Sequence, residues 1–211
     1  MTINCKGESL ILSKDRAIYW AEKEMLIISD LHIGKAAHFR RAGIQVPGTV
    51  NSRDLERLDI LIGLYNPQVL LITGDMFHDG LNTEVGIFGS WRSGYPDLKI
   101  VLIKGNHDRL KGVVYEALSI EVEQKELICG PFRFVHDKPA VFDEYYNITG
   151  HIHPGVTIYG KARQRLKLPC FYFGKTCAIL PAFSLFTGLS KIKSEEGDLF
   201  YAITPEKVVL V

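Results

Sequence analysis

The sequence contains no long hydrophobic run and no excess of charge of either sign. Its longest apolar stretches, such as 69–72 and 100–103, have the length of strands and fall far short of the ~20 residues of a membrane-spanning helix. The 25 Lys and Arg residues nearly balance the 24 Asp and Glu residues, which leaves a formal net charge of +1. No strong overall field therefore draws the protein to nucleic acid or to an anionic membrane. We predict no membrane span, and any binding of nucleic acid must depend on local basic residues.

The sequence also lacks paired cysteines and an export signal. The four cysteines form no CxxC motif, and a chain of 211 residues can build a core without disulfide bonds. Charged and polar residues interrupt the N-terminal segment MTINCKGESLILSKDR every few positions. This segment resembles neither a signal peptide nor a transit peptide. We therefore expect a reduced, cytoplasmic protein.

Internal repeats, low-complexity tracts and linkers rich in Pro or Ser are absent as well. Charge is spread evenly over the two halves of the chain. The length suits one well-filled domain, because single domains typically have roughly 100–200 residues. The sequence thus predicts a single domain that covers residues 1–211.

The first half of the chain alternates between strand and helix patterns. Asn51 is the predicted N-cap of an amphipathic helix, in which Leu55, Leu58 and Ile62 recur at helical spacing before Pro67 ends the pattern. The other predicted elements are a hairpin over 9–20, strands over 25–29, 68–73 and 99–104, and a weaker helix over 83–91. Strands that alternate with helices indicate parallel pairing in one sheet.

After about residue 119 the sequence changes to short runs that are rich in β-branched and aromatic residues. These runs predict successive strands with tight turns: EVEQKELICG, FRFVH, YYNITG, VTIYG, CFYFG, CAIL, LFYAIT and KVVLV. No linker separates this part from the α/β part. We therefore predict an α/β sandwich, in which two mixed β-sheets pack face to face and helices flank them.

Polar residues that can bind metal ions follow five of the predicted strands. These clusters are Asp30-Leu31-His32, Gly74-Asp75, Gly105-Asn106-His107-Asp108, His136 and Gly150-His151-Ile152-His153. Loops at the carboxyl ends of strands converge in α/β sheets, so the clusters can form one site. A lone histidine is more often structural, but five of the seven histidines fall in these clusters. A metal site explains this distribution better than chance does.

The residue types indicate the kind of metal and the chemistry. Carboxylate, imidazole and amide oxygen without cysteine suit Mn²⁺, Fe, Zn²⁺ or Mg²⁺, and exclude iron–sulfur clusters. Seven candidate ligands are more than one ion binds, so two divalent ions are predicted. Ion pairs ~3.5–4 Å apart share a bridging carboxylate and hydrolyse phosphoesters in phosphatases and nucleases.

The ordered motifs D-x-H, GD, GNHD, H and GHxH resemble those of the calcineurin-like metallophosphoesterase superfamily. By this resemblance, Asp75 would bridge the two ions. His107 would contact the phosphate and protonate the leaving oxygen, and Asp108 would orient its imidazole. One ion would be bound by Asp30, His32 and His153, and the other by Asn106, His136 and His151.

Three further strings resemble the DNA ligase-associated metallophosphoesterases, a group of nucleases linked to DNA repair. These strings are DLHIGKAAHFRRAGIQVP, LKLPCF and LPAFSLFTG. The resemblance implies a phosphodiesterase that acts on DNA or RNA, with a functional link to a DNA ligase and helicase. Mn²⁺ is the ion that we expect to support activity best.

Basic and aromatic residues near the motifs are weaker candidates for substrate contacts. Charge runs usually form a solvated face, yet four basic residues could bind phosphate: Lys35, Arg41, Arg109 and Arg165. Four tyrosines could stack on bases, although their strand positions favour the core: Tyr145, Tyr146, Tyr159 and Tyr172. His38 and His78 receive no role.

Two other interpretations remain open from the sequence. The enzyme could act on a small substrate, such as a cyclic nucleotide, a nucleotide pyrophosphate or a phosphomonoester, which the near-neutral charge favours. The fold could also serve as a binding module without catalysis. The presence of both Asp75 and His107 argues against the second interpretation.

Overall fold

A computed structural model describes residues 1–41, 43, 50–78, 80–139, 144–160 and 164–211, without the side chains of residues 41 and 50–52. Two β-sheets contain all the named strands. Seven strands form the first sheet in chain order: β1 (Thr2–Cys5), β2 (Glu8–Leu12), β3 (Ile18–Trp20), β4 (Met25–Ile28), β5 (Val69–Ile72), β6 (Lys99–Ile103) and β7 (Ile120–Glu123). Strands β1 to β4 are antiparallel, whereas β4 to β7 are parallel. The predicted hairpin and the predicted parallel pairing are both confirmed.

Four α-helices accompany the first sheet. They are α1 (Lys35–Arg41), α2 (Val50–Tyr65), α3 (Thr83–Arg92) and α4 (Gly112–Ala117). Helix α2 begins before Asn51, so the prediction of an N-cap at Asn51 is wrong by at least one residue. Its end is as predicted, because Asn66 adopts a left-handed φ of 44° directly before Pro67. Helix α4 was not predicted, since six residues are too few to show a helical period.

Nine strands form the second sheet. They are β8 (Glu126–Cys129), β9 (Phe132–Val135), β10 (Tyr146–Thr149), β11 (Pro154–Tyr159), β12 (Arg165–Phe173), β13 (Cys177–Ile179), β14 (Ser190–Lys191), β15 (Leu199–Ile203) and β16 (Val208–Leu210). Their order is β14-β11-β12-β13-β10-β9-β8, and β12 also pairs with β15, which pairs with β16. The string EVEQKELICG therefore divides between the sheets, because β7 joins the first sheet and β8 the second.

Side-chain alternation along the central strands produces the layers. In β4, Leu26 and Ile28 pack against the helices, whereas Ile27 faces the second sheet. Strands β5 and β6 alternate in the same way, so each buries both of its faces. Aromatic residues of the second sheet, such as Phe134 and Phe171, complete the core between the sheets. The predicted sandwich is confirmed, and α2, α3 and α4 cover the first sheet.

The parallel strands position the loops that carry the polar clusters. Strands β4, β5 and β6 end at one edge of the first sheet, while β9 and β10 are parallel neighbours in the second. The five predicted clusters follow these five strands directly. No helix in the described part of the chain is both long and apolar enough to cross a membrane.

Candidate metal centre

Two groups of side chains converge at the ends of four of these strands, β4, β5, β9 and β10. Within each group, one potential ligand atom per residue lies within 4.8 Å of the others. The first group is Asp30, His32 and His153, and the second is Asp75, His136 and His151. The structure thus brings together six of the seven ligands that the resemblance implies. Each group combines residues from both sheets, so the centre lies where the two layers meet.

The backbone is unusual at the residues of these groups. Asp30, His32, Asp75, His151 and His153 all have positive φ values, between 50° and 66°. Residues other than glycine rarely adopt this conformation, and its cost is typically accepted where function requires it. Five of the six residues therefore adopt a strained backbone that turns their side chains toward a common point.

Two glycines of the motifs allow the loops to approach closely. A Cβ atom at Gly74 would lie 2.0 Å from Nδ1 of His136, and the φ of Gly74 is +90°. A Cβ atom at Gly150 would lie 1.8 Å from Oγ of Ser29. Any side chain at these positions would separate the loops that carry the two groups. The glycines of the GD and GHxH motifs thus have a steric reason to be there.

The first group contains a buried carboxylate oxygen and two imidazole nitrogens that face one another. Oδ2 of Asp30 accepts hydrogen bonds from Oγ of Ser29 at 2.5 Å and from the His151 N–H at 3.0 Å. Oδ1 of Asp30 is buried and lacks a hydrogen bond in the described structure, although Nε2 of His153 is 3.1 Å away. The Nε2 atoms of His32 and His153 are 3.4 Å apart. A cation among these atoms would satisfy the buried oxygen and both ring nitrogens.

The second group has a similar arrangement. Oδ1 of Asp75 accepts a hydrogen bond from the His107 N–H at 2.9 Å, and Oδ2 is 3.4 Å from Nε2 of His136. Nδ1 of His136 lies 3.0 Å from the Thr73 carbonyl oxygen. Donation from Nδ1 to this carbonyl leaves Nε2 free for a metal ion. In metal-bound histidines, the ring nitrogen that does not bind the metal commonly donates a hydrogen bond in this way. The donor set of the centre therefore fits divalent metal ions.

The electrostatics of the metal-free centre reflect burial and close opposite charge. Burial lowers the pKa of His32 to about 3. Burial acts to raise the pKa of Asp30, but its close pairing with the His153 ring outweighs this effect and lowers the pKa. For Asp75 the pairing with His136 likewise outweighs burial and lowers the pKa. Burial opposes the charged form of His136, yet the Asp75 carboxylate raises its pKa to about 9.

Asn106, His107 and Asp108 lie on the loop after β6. The Asn106 side chain is exposed, and the His107 side chain is partly buried. The His107 ring stacks on the ring of His78, with centroids 4.4 Å apart and an interplanar angle of 28°. It also meets the His32 ring edge to face at 5.7 Å. His78, to which the sequence assigned no role, therefore supports the imidazole that was predicted to contact the phosphate.

The carboxylate of Asp108 does not contact the ring that it was expected to orient. Its Oδ1 accepts a hydrogen bond from the Phe77 N–H at 2.8 Å, and its Oδ2 accepts one from the Gly105 N–H at 2.9 Å. Among the described residues neither oxygen is bonded to the His107 ring. These hydrogen bonds give no support to the expected orienting role, which stays a prediction. Asp108 is a buried acceptor that ties the loop after β5 to the loop after β6.

The four basic candidates differ in their distance from the centre. Lys35 is partly buried; burial lowers the pKa of its ammonium, while the charges of Asp30 and Asp75 act to raise it. Arg109 is exposed and donates from Nε to the Asn106 carbonyl oxygen at 3.3 Å. Arg165 lies on the β11–β12 hairpin, away from both groups. The Arg41 side chain is outside the described structure.

Hydrogen bonds from residues without a predicted role fix the backbone next to the first group. The Phe183 and Ser184 N–H groups donate to the carbonyl oxygens of Ser29 and Asp30, at 2.7 and 3.1 Å. Arg16 donates from Nη1 to the carbonyl oxygens of Ala182 and Ser184. The string LPAFSLFTG thus has a structural explanation, because its first half supports the strand end that carries Asp30. In the sequence it was visible only through resemblance.

Comparison with known proteins agrees with this geometry. Residues 24–198 match the calcineurin-like phosphoesterase family. The chain belongs to this family. It is accordingly a metal-dependent phosphoesterase, which is a hydrolase. Members of this family bind divalent metal ions. The two groups described above are its candidate metal-binding groups.

Solved structures give a more detailed comparison for this phosphoesterase. The crystal structure of the Pseudomonas putida nuclease MPE is 31% identical, with a TM-score of 0.84 over 100% of this chain and 99% of that one. Yfce, a phosphoesterase from E. coli, is 14% identical, with a TM-score of 0.47 over 89% of this chain and 97% of that one. The curated proteins contain no significant match.

Metal binding to this phosphoesterase is expected to release a proton near neutral pH. His136 is protonated in the metal-free enzyme because its pKa is about 9, but a metal ion requires its neutral Nε2. Calorimetric titration in buffers of different ionisation enthalpy should show release of roughly one proton per chain. The release should vanish as the pH rises above about 9. Release that persists unchanged at alkaline pH would contradict this assignment.

Proposed function

We propose that this phosphoesterase is a phosphodiesterase and nuclease with two metal ions, which hydrolyses phosphodiester bonds in nucleic acid during DNA repair. Two groups that can each bind an ion support dinuclear chemistry. The similarity over whole chains to a protein described as a nuclease supports a polynucleotide substrate. The resemblance to the ligase-associated group further supports an intracellular role beside a DNA ligase and a helicase.

The proposed metal ligands follow the two groups. Asp30, His32 and His153 would bind one ion, and His136 and His151 the other, with Asp75 shared and Asn106 completing the second site. Divalent ions at these sites would lower the pKa of water and offset the charge of the phosphate. We propose Mn²⁺ as the ion; a donor set of carboxylates, imidazoles and an amide suits Fe, Zn²⁺ and Mg²⁺ as well, so activity across these metals tests the choice.

The protein residues outside the ligands have separate proposed roles. Water attacks the phosphorus as the P–O bond to the leaving group breaks, and the partly accessible His107 ring donates a proton to the departing oxygen. The His78 ring holds this imidazole in position from one face. The ammonium of Lys35 binds a non-bridging phosphate oxygen beside Asp30 and Asp75.

Activity measurements across metals and substrates test the proposal. Chelation should abolish hydrolysis of an activated phosphodiester, and Mn²⁺ should restore more activity than Fe²⁺, Zn²⁺ or Mg²⁺. Single-stranded DNA and RNA should be cleaved at fixed Mn²⁺. Turnover of cyclic nucleotides or monoesters alone, with no cleavage of nucleic acid at any salt concentration, would replace the proposed substrate with a small one. Full activity with at most one ion per chain would exclude the dinuclear mechanism.

A further inference from the structure

Charge is distributed unevenly within the second half of the chain. Residues 145–194 contain no Asp or Glu but seven Lys or Arg, although the whole protein has a net charge of only +1. These basic residues are Lys161, Arg163, Arg165, Lys167, Lys175, Lys191 and Lys193. The same segment contains His151 and His153 of the candidate metal centre. The stretch of chain that supplies these two ligands therefore carries positive charge without carboxylates.

The hairpin of β11 and β12 presents an aromatic ring in this region. Tyr159 and Arg165 are direct partners in the antiparallel register, so their side chains share one face. The Arg165 guanidinium lies 5.7 Å from the centroid of the Tyr159 ring. Tyr159 is 71% exposed, so the interpretation of this tyrosine as a core residue is wrong. Tyr146 and Tyr172, by contrast, are buried as their strand positions favoured.

A groove runs along the same face. It has a volume of about 240 Å³, and its lining includes Thr157, Tyr159 and Lys191. Lys191 belongs to β14, which pairs with the start of β11. We call the surface formed by Thr157, Tyr159, Arg165 and Lys191 the hairpin face. Its combination of an accessible ring and cationic side chains suits a nucleotide base and its flanking phosphates.

The distance of the hairpin face from the metal centre decides which substrates can reach both. Strand β11 begins directly after the ligand candidate His153, and Tyr159 follows six residues later. A strand rises ~3.3 Å per residue, so the two residues are roughly 20 Å apart. A cyclic nucleotide or a phosphomonoester cannot span this distance. A polynucleotide whose scissile phosphate is at the metal centre can.

We infer that the hairpin face is a docking surface for single-stranded nucleic acid beyond the scissile phosphate, an inference that rests on the proposed function. An unpaired base can stack on Tyr159, whereas the bases of a duplex are already stacked on each other. Arg165 and Lys191 bind the phosphates on either side of that base. The hairpin face therefore acts on affinity for long substrates and not on the chemical step.

Matched variants of the full-length enzyme test this inference. Tyr159→Ala should raise the KM for a single-stranded DNA of roughly 16 nucleotides by about tenfold, with little change in kcat. Tyr159→Phe should retain the wild-type KM, because it keeps the aromatic ring. Turnover of bis(p-nitrophenyl) phosphate should be the same in all variants. Arg165→Ala should weaken DNA binding and lower the slope of log affinity against log salt by roughly one.

A basic residue at the opposite end of the first sheet provides the control. Lys99 is exposed at the start of β6, where it pairs with Glu121 at 2.6 Å. Lys99→Ala should leave DNA affinity unchanged. An unchanged KM for DNA in Tyr159→Ala, or an equal loss with the small substrate, would overturn the docking surface while the nuclease assignment stands. A change in oligomeric state in Tyr159→Ala would instead identify the face as a contact between copies of the chain. Failure of the wild-type enzyme to bind or cleave DNA would refute the proposed function itself.

Discussion

Asp75→Asn is expected to reduce the metal content from two ions per chain to one or none, and to abolish phosphodiester hydrolysis. In the structure the two carboxylate oxygens of Asp75 face the His107 N–H and Nε2 of His136. An amide whose oxygen accepts from His107 would turn its NH₂ group toward Nε2 of His136. That nitrogen would then accept a hydrogen bond in place of binding a metal ion. The shared negative charge between the two groups would be lost as well.

Metal analysis after gel filtration measures this effect directly, alongside turnover of an activated phosphodiester. Asp59→Asn is a suitable control, because Asp59 accepts hydrogen bonds from Trp91 and Tyr95 among the helices, away from both groups. It should keep two ions and wild-type activity. If Asp75→Asn retained both ions and the wild-type rate, Asp75 would not be shared between them.

Local sequence patterns were sufficient to predict the layers of the fold. Runs rich in β-branched and aromatic residues in the second half and buried strands in the first predicted two packed sheets, because such strands require an apolar partner. The order of the second sheet could not be predicted. Strand β14 pairs with β11, and β15 pairs with β12, across separations that leave no local signal.

The candidate site shows the same division between local and long-range information. The motifs placed His136 and the pair His151 and His153 at strand ends, where the structure brings them to Asp30 and Asp75. The left-handed backbone at Asp30, His32, Asp75, His151 and His153 has no local signature in the sequence.

Sequence adjacency also does not reveal the hydrogen-bond partners of Asp108. This residue directly follows His107, yet its carboxylate reaches the Phe77 N–H, 31 residues away in the chain. Only the folded loops reveal that partner. The opposite case is Tyr159, whose strand pattern favours burial, although its position near the end of a projecting hairpin leaves the ring exposed. In both cases tertiary position, which no local pattern shows, determines the surroundings of the side chain.

His107→Ala is expected to slow hydrolysis of substrates with poor leaving groups by roughly 10²–10⁴-fold while both metal ions remain bound. The substitution removes the imidazole but keeps the backbone N–H that donates to Oδ1 of Asp75. The two groups of metal ligands do not include the His107 ring. Metal content should therefore match that of the wild-type enzyme, in contrast to Asp75→Asn.

The leaving group separates proton donation from other roles of His107. A p-nitrophenolate departs without protonation. The His107→Ala variant should therefore lose much less of its hydrolysis rate with bis(p-nitrophenyl) phosphate than with a dinucleotide. An equal loss with both substrates would assign His107 to phosphate binding. A wild-type rate with the dinucleotide would remove His107 from the mechanism.

Asp108→Asn completes the comparison, because the structure assigns this carboxylate to the backbone. Its NH₂ group would face either the Phe77 or the Gly105 N–H, so one buried donor would lose its acceptor. We expect a lower melting temperature in thermal unfolding. In the folded fraction of this variant, the hydrolysis rate should depend on the leaving group as little as it does in the wild-type enzyme. A leaving-group dependence like that of His107→Ala would restore the orienting role that the hydrogen bonds of Asp108 argue against.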